Sequence, residues 1–316
     1  MAKINAARLL EDLRKLRTFG ATGNGVVRPS LSTTDMEARR WLCAQMSEAG
    51  LRAEIDGVGN VLGRSSQPGK ALLIGSHSDT QPTGGWLDGA LGVIYGLEIV
   101  RALRENSRVS HLPADAISWI DEEGTFLGCL GSRSFCGVVD DAAMRVAKSE
   151  SGELLSDAIK AAGLADTAPF RLEPDRYIGY LEAHIEQGPY LEDENNKIGV
   201  VTSIVGIRGA ELEFVGEQNH AGTTPMARRK DAGMALIHFA HELDARFQAL
   251  ADVRTVWTFG KADFQPGAPS IVPGRARLLV QFRDASEERL DQFDAALDAL
   301  ITQTNGRGGV QVEIGL

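Results

Sequence analysis

Apolar residues recur along the first half of the chain with two alternating periods. Ala6, Leu9, Leu10, Leu13 and Leu16 follow one another at three- and four-residue steps, which predicts an amphipathic helix. A second helix is expected from Ser32 and Thr33, either of which can cap it, with Ala38, Trp41, Leu42 and Met46 on its apolar face and Gly50 as its stop. Alternating stretches at residues 51–56 and 60–63 read as strands, and the runs at 71–75 and 116–120 read as buried strands. A long helix is predicted over residues 90–103 between them. Short apolar strands interleaved with helices indicate an α/β domain built on a largely buried sheet.

The texture changes near residue 206. Residues 209–215 read as a strand, and 231–250 as a helix with Leu236, Phe239, Ala240, Leu243 and Phe247 on one face. Strands are expected at 253–260 and 275–283, then a helix carrying Leu290, Phe293, Leu297 and Leu300. A last alternating strand carries Val310, Val312, Ile314 and Leu316. The order β-α-β-β-α-β closes a small unit of one sheet and two helices. Two domains follow, residues 1–205 and 206–316, joined near Val205.

Composition narrows the classes. The chain has 316 residues, more than one hydrophobic core ordinarily serves, with 43% hydrophobic and 24% charged residues, as in globular proteins. The net charge of -10 and the lack of long basic runs argue against a nucleic-acid partner. No stretch has the length of a membrane span, and Met1-Ala2-Lys3-Ile4-Asn5 leads into a charged helical pattern unlike a secretory signal. Three cysteines, Cys43, Cys129 and Cys136, lack C-x-x-C spacing, so reduced thiols and a cytoplasmic location are expected.

Four clusters of metal-ligand residue types lie in the first domain, each at the end of an apolar run. They are Gly75-Ser76-His77-Ser78-Asp79-Thr80, Gly84-Gly85-Trp86-Leu87-Asp88-Gly89, Asp121-Glu122-Glu123-Gly124, and Glu182-Ala183-His184-Ile185-Glu186-Gln187-Gly188-Pro189. Any one of them has a plainer reading as a cap or a solvated turn. Carboxylate and imidazole donors at four successive strand ends together point to divalent metal, because ligands gather at the carboxyl ends of strands in open α/β sheets. His77 and Asp79, two residues apart, can supply a ligand and the group that orients it.

The ordered motifs H-S-D-T, G-G-W-L-D-G, D-E-E-G-T-F, G-S-R-S-F-C-G, H-I-E-Q-G-P and N-H-A-G-T-T-P-M resemble the amidase/hydantoinase/carbamoylase family of dinuclear metallohydrolases, from about residue 5 to the end. The family includes N-carbamoyl-L-amino acid hydrolases, allantoate amidohydrolases and ureidopropionases. The resemblance implies a zinc-aminopeptidase-like mixed-sheet catalytic domain and a ferredoxin-like lid that also makes a homodimer through residues 206–316. It implies two divalent ions, zinc being expected and manganese or cobalt also suited to the mixed donors. His77 and His184 would bind one ion, Asp88 would bridge both, and Glu123 would bind the second. Glu122 looks like the general base, and Asp79 like the carboxylate behind His77. Glu122 and Glu123 are neighbours, so they can share a site only where the strand has ended, and Gly124 is the expected break. A water shared by the ions would then be activated near neutral pH, with Glu122 moving its proton.

The resemblance also makes His220 the donor to the developing oxyanion, against its plainer reading as a turn residue, and makes Gln187 a substrate contact. The family often carries Asn before a V-x-P-G turn, whereas this chain has Ser270 before Ile271-Val272-Pro273-Gly274. Arg283 sits where a carboxylate-binding arginine would be. Strand alternation places it with Arg275, Arg277 and Gln281, opposite Leu278, Val280 and Phe282, where it also reads as a plain surface residue. His111, His238 and His241 match no motif. Residues 63–71 resemble a phosphate loop but have the wrong glycine spacing and run into a strand; no G-x-S-x-G elbow occurs. Cys136 reads as a buried structural thiol, and Arg228-Arg229-Lys230 as a solvated helix start.

The leading expectation is a metal-dependent amidohydrolase of a small carboxylate-bearing N-carbamoyl or ureido acid. An allantoate-type or dipeptidase-like hydrolase is the alternative within the class. A hypothesis of another class is a catalytically impaired chain acting as a dimerising or binding module. It arises because the family takes its last ligand from a C-terminal G-H-D segment, and after His184 the chain offers only His220, His238 and His241. The catalytic domain is therefore expected to be C-terminally incomplete, the Glu123-side ion weakly held, and an apolar face of the first domain uncovered.

Overall fold

The computed structural model describes residues 2–315, so Met1, and with it the start of the N-terminal reading, and Leu316, the end of the expected last strand, lie outside the described residues. The chain divides into two compact units, one ending at Asn195 and one beginning at Asn196. Residues 198–205 carry no regular structure.

In the first unit the main sheet and the helices packed on it are α1 (Ala6–Thr18), α2 (Thr33–Glu48), β1 (Arg52–Ile55), β2 (Val61–Arg64), β3 (Ala71–His77), α3 (Ala90–Arg104), β4 (Ala114–Trp119), α4 (Leu130–Phe135) and β5 (Tyr177–Leu181). The Asn5 side chain caps α1 by accepting from the Arg8 N–H, and Ser32 caps α2 by accepting from the Asp35 N–H. Leu13 and Leu16 of α1, Ala38, Leu42 and Met46 of α2 and Val93, Ile94, Leu97 and Val100 of α3 close over Val61, Ile74 and Ala116 of the sheet. Leu62, Leu73, Ile117 and Trp119 pack with Phe135 of α4 in a separate cluster.

The sheet order is β1-β2-β4-β3-β5, antiparallel through β1, β2 and β4 and parallel through β4, β3 and β5. The parallel register sets His77 beside Trp119 and Ile74 beside Leu181. Three strands thus end together at their carboxyl termini, and the polar motifs follow immediately. The edge strand β5 differs from the others: Ile178, Tyr180 and Leu181 are exposed, as are Ile198, Val200, Val201 and Ile204 beyond it.

The second unit contains β6 (Gly206–Val215), α5 (Ala232–Leu250), β7 (Val256–Gln265), β8 (Arg275–Asp284), α6 (Glu287–Gly306) and β9 (Gln311–Ile314). Its antiparallel sheet has the order β7-β8-β6-β9, the strand arrangement of the ferredoxin-like β-α-β-β-α-β unit. Leu212, Phe214, Leu278, Val280, Phe282 and Val312 bury one face against Leu236, Phe239, Leu243, Phe247, Leu290, Phe293, Leu297 and Leu300 of the helices. Strict alternation along β8 leaves Arg275, Arg277 and Arg283 on the exposed face. Among the described residues, no helix is long and apolar enough to cross a membrane.

Candidate metal centre

His77 is the last residue of β3 and is buried, and its ring faces two groups of candidate ligands. Its Nδ1–H donates to the Asp79 carbonyl at 3.1 Å. A carbonyl only accepts, so this bond places the proton on Nδ1 and leaves the Nε2 lone pair free. The Asp79 carboxylate, expected to be the orienting group, lies further from Nδ1, at 3.7 Å. Its Oδ2 instead accepts the Glu123 N–H at 3.1 Å, so Asp79 ties the end of β3 to the loop after β4.

Asp88 stands just before α3. Gly89, which follows it, has a φ of +60°, and a Cβ there would lie 2.4 Å from the His77 ring. Only glycine lets the chain turn into α3 this close to the imidazole. His184 arrives from the segment after β5, with Nδ1–H donating to the Ile185 carbonyl at 2.9 Å and Nε2 turned inward. That Nε2 lies 3.2 Å from Asp88 Oδ1 and 3.5 Å from His77 Nε2. Asp88 Oδ1 is buried and accepts no hydrogen bond among the described residues. Its Oδ2 accepts from Gln187 Nε2 at 2.6 Å, so Gln187, expected as a substrate contact, holds Asp88 here.

Beyond β4 the backbone reverses at Asp121, whose φ of +54° is unusual for a residue with a side chain. The expected break at Gly124 is present as a second positive φ of +78°, but the turn that frees Glu122 and Glu123 begins three residues earlier. The Asp121 carboxylate holds the turn by accepting from the Phe126 and Leu127 N–H groups, and burial pushes it above the usual carboxylate range. Glu122 reaches to 3.6 Å from His77 Nε2. Burial also raises the Glu122 carboxyl, opposed by the His77 ring and reinforced by Glu123 and Asp79. Glu123 is held by Gln81, whose Nε2 donates to its carbonyl and carboxylate, each at 2.9 Å. Gln81 carried no signal beyond its place after H-S-D-T.

Two sets of donors converge: His77, Asp88 and His184, and His77, Glu122 and Glu123, each with ligand atoms within 4.8 Å of one another. Two imidazoles with free Nε2 atoms, an unpartnered buried carboxylate oxygen and further carboxylates make a mixed N/O set that fits a zinc-, manganese- or cobalt-type ion. His220, Ser270 and Arg283 belong to the second unit. His220 lies in a two-residue strand, Asn219–His220, paired with Ile271–Val272, and the Ala221 N–H donates to the Ser270 carbonyl at 2.9 Å. Arg283 is exposed and donates through Nε and Nη2 to Gln281 Oε1. Cys136, read as buried, is exposed, because it caps the C-terminus of α4 at the solvent side. Cys129 is also exposed, Cys43 is half-buried, and all three thiols are free.

A mixed sheet with imidazoles and carboxylates at its parallel strand ends, followed by an antiparallel two-helix unit, defines a two-unit α/β protein with a candidate metal centre. The chain belongs to peptidase family M20/M25/M40, whose sequence profile matches residues 73–307. It is 34% identical over 322 residues to an N-carbamoyl-L-amino-acid amidohydrolase of Paenarthrobacter aurescens, covering 99% of this chain and 78% of that protein. It is 33% identical to an allantoate amidohydrolase of Bacillus subtilis, covering 95% of this chain and 74% of that one. Among solved structures, an amidase of the hydantoinase/carbamoylase family from Burkholderia phymatum superposes with a TM-score of 0.88 at 57% identity, over 99% of this chain and 78% of that one.

Proposed function

We propose that the chain is a metal-dependent hydrolase of linear C–N bonds in small carboxylate-bearing N-carbamoyl or ureido acids. The observation that carries this reading is the pair His184 Nε2 and Asp88 Oδ1, 3.2 Å apart, with the oxygen buried and unpartnered. The relatives named for carbamoyl amino acids and allantoate support the substrate class. In this reading His77, Asp88 and His184 hold one ion, and Asp88 and Glu123 share in a second. Zinc is the expected metal. Bound, such an ion polarises a carbonyl and makes water a better acid.

The residues themselves do the rest. Glu122, raised by its partial burial, takes the proton of the attacking water and returns it to the leaving nitrogen. Asp79 keeps His77 and the Glu123 backbone in place. His220 donates to the developing oxyanion, Arg283 and Ser270 recognise the substrate's carboxylate end, and Gln187 is a further substrate contact. Homodimerisation through residues 206–316 and a reducing cytoplasmic setting complete the proposal; the outer edges of β7 and β9, unpaired among the described residues, and the three free cysteines support them.

The test is turnover of N-carbamoyl amino acids, allantoate and dipeptides by metal-loaded protein, before and after chelation and reloading. Activity on a ureido substrate that is lost on chelation and regained with metal is expected. No turnover of any ureido substrate by the loaded protein sinks the proposal. Hydrolysis of allantoate in preference to carbamoyl amino acids is the second reading, kept open by near-equal identity to both kinds of relative, 33% and 34%. Sedimentation would separate monomer from dimer.

A further inference from the structure

Behind the ligand cluster lies a buried guanidinium that the chemistry above does not use. Arg39 projects from α2 and is 0% exposed. Its Nε donates to Asp35 Oδ2 at 2.8 Å, its Nη1 to the Gly59 carbonyl at 3.1 Å, and both Nη atoms to the Trp119 carbonyl at 3.2 and 3.1 Å. Its Nη2 stands 3.8 Å from Asp79 Oδ1. Asp79 is likewise 0% exposed, and that oxygen accepts no hydrogen bond. Arg39 is thus the cation facing the carboxylate that links His77 to Glu123.

A second buried arginine braces the same loop. Arg28, 0% exposed, donates through Nε to the Ser78 carbonyl at 2.6 Å and through its backbone N–H to Thr80 Oγ1 at 2.9 Å. The residues on either side of Asp79 are therefore held by Arg28, and Asp79 itself faces Arg39.

We propose that Arg39 is a positioning residue for the metal centre, fixing the ends of β3 and β4 and, through Asp79, the placement of His77 and Glu123. The inference rests on the reading of that cluster as a metal site. Its physical basis is the cost of burying a charge. Where only stability is at stake, an apolar side chain of similar volume often serves as well or better, so stability alone does not account for a buried ion pair here. The fork also explains the residue type. A guanidinium presents five donors in one plane and can hold Asp35, Gly59 and Trp119 at once while facing Asp79. A lysine ammonium presents three donors on one atom and cannot span that set.

The test uses metal-free full chain, with Co2+ as the probe and its visible absorption as the readout of ligand geometry. Arg39→Lys and Arg39→Met are compared with the parent, with Glu98→Gln as a control. Glu98 is a buried partner of Arg8 on α3, and its loss lowers stability without touching the ligand cluster. The Arg39 variants, shown to be folded by circular dichroism, are expected to bind Co2+ about 10–100-fold more weakly, as losses behind a ligand do, with an altered spectrum. Glu98→Gln is expected to keep the parent's affinity and spectrum. Folded Arg39 variants with unchanged Co2+ affinity and spectrum overturn the positioning role alone. Should both Arg39 variants fail to fold, Asp35→Asn, which keeps the shape of the partner, takes their place with the same two outcomes. A parent that binds no Co2+ removes the metal-site reading, and the positioning role with it.

Discussion

His184 Nε2 lies 3.2 Å from Asp88 Oδ1, while the other oxygen of Asp88 is occupied by Gln187 at 2.6 Å. The two oxygens of one carboxylate are thus differently placed. One is fixed by an amide, and the other is left bare where two imidazole nitrogens converge. Burying a carboxylate oxygen without a partner is costly, and a cation held by the three groups would offset that cost.

Asp88→Asn keeps the shape of the side chain and removes its charge. Metal binding is expected to weaken by more than the roughly 10–100-fold that losing a group behind a ligand costs, with activity falling in step. Metal content after dialysis, together with turnover, measures this. A variant that retains its metal would show that Asp88 is not a ligand.

Gly89→Ala tests how the approach to His77 is made. The added Cβ meets a backbone of positive φ and a ring 2.4 Å away, so backbone strain and a clash act together. Strain of this kind alone costs about 1–3 kcal/mol, and the variant should be destabilised by at least that. Denaturant melts of metal-free protein read the loss. Unchanged stability would mean that His77 can move aside, in which case metal affinity should fall instead.

The His77 and Glu122–Glu123 motifs were legible because each follows a run whose apolar pattern marks a buried strand, and parallel register brings those two strand ends together, whereas Asp88 precedes α3 and His184 follows the exposed edge strand β5. The antiparallel unit was legible for a similar reason: period-two alternation along β8 sorts Phe282 inward and Arg283 outward. Conformation and polar support were harder to read. Asp tolerates a left-handed φ better than most residues, but nothing in the sequence marks Asp121 among the other acids; its φ of +54° goes with hydrogen bonds it accepts from five and six residues ahead. Arg39 falls on the same helical stripe as Leu42 and Met46, and that spacing was the available sign of its burial. Charge suggested solvent instead. Cys136 misled in the opposite direction, since an apolar-leaning residue at a helix end can face water.

The two groups of candidate donors share His77 but are otherwise unequal. One adds His184 and Asp88, whereas the other adds the carboxylates Glu122 and Glu123. Imidazole is a strong ligand for zinc-type ions, and the first set has two imidazoles where the second has one. Titration of chelated protein with Zn2+ is therefore expected to show one tight event and a second at least about tenfold weaker. Two equally tight events would contradict this ranking of the sites.

Tyr177 offers a pH test away from the metal centre. Its hydroxyl donates to Asp115 Oδ2 at 3.2 Å, and that carboxylate also accepts from Arg176 and from the Ser65 N–H. Burial, reinforced by the negative charge of Asp115, pushes the phenol from its ordinary value of 10 up to about 12, against the pull of Arg64 and Arg176. The folded chain thus holds this proton more tightly than the unfolded one. The resulting stabilisation is fully present below about pH 10 and is lost as pH rises toward about 12. Denaturant midpoints of the parent should fall across that window more steeply than those of Tyr177→Phe, which has no proton to lose there. In the same variant, the tyrosinate absorbance should lack a component titrating near 12. Midpoints that fall in parallel for the two proteins would show that Tyr177 ionises alike in the folded and unfolded states.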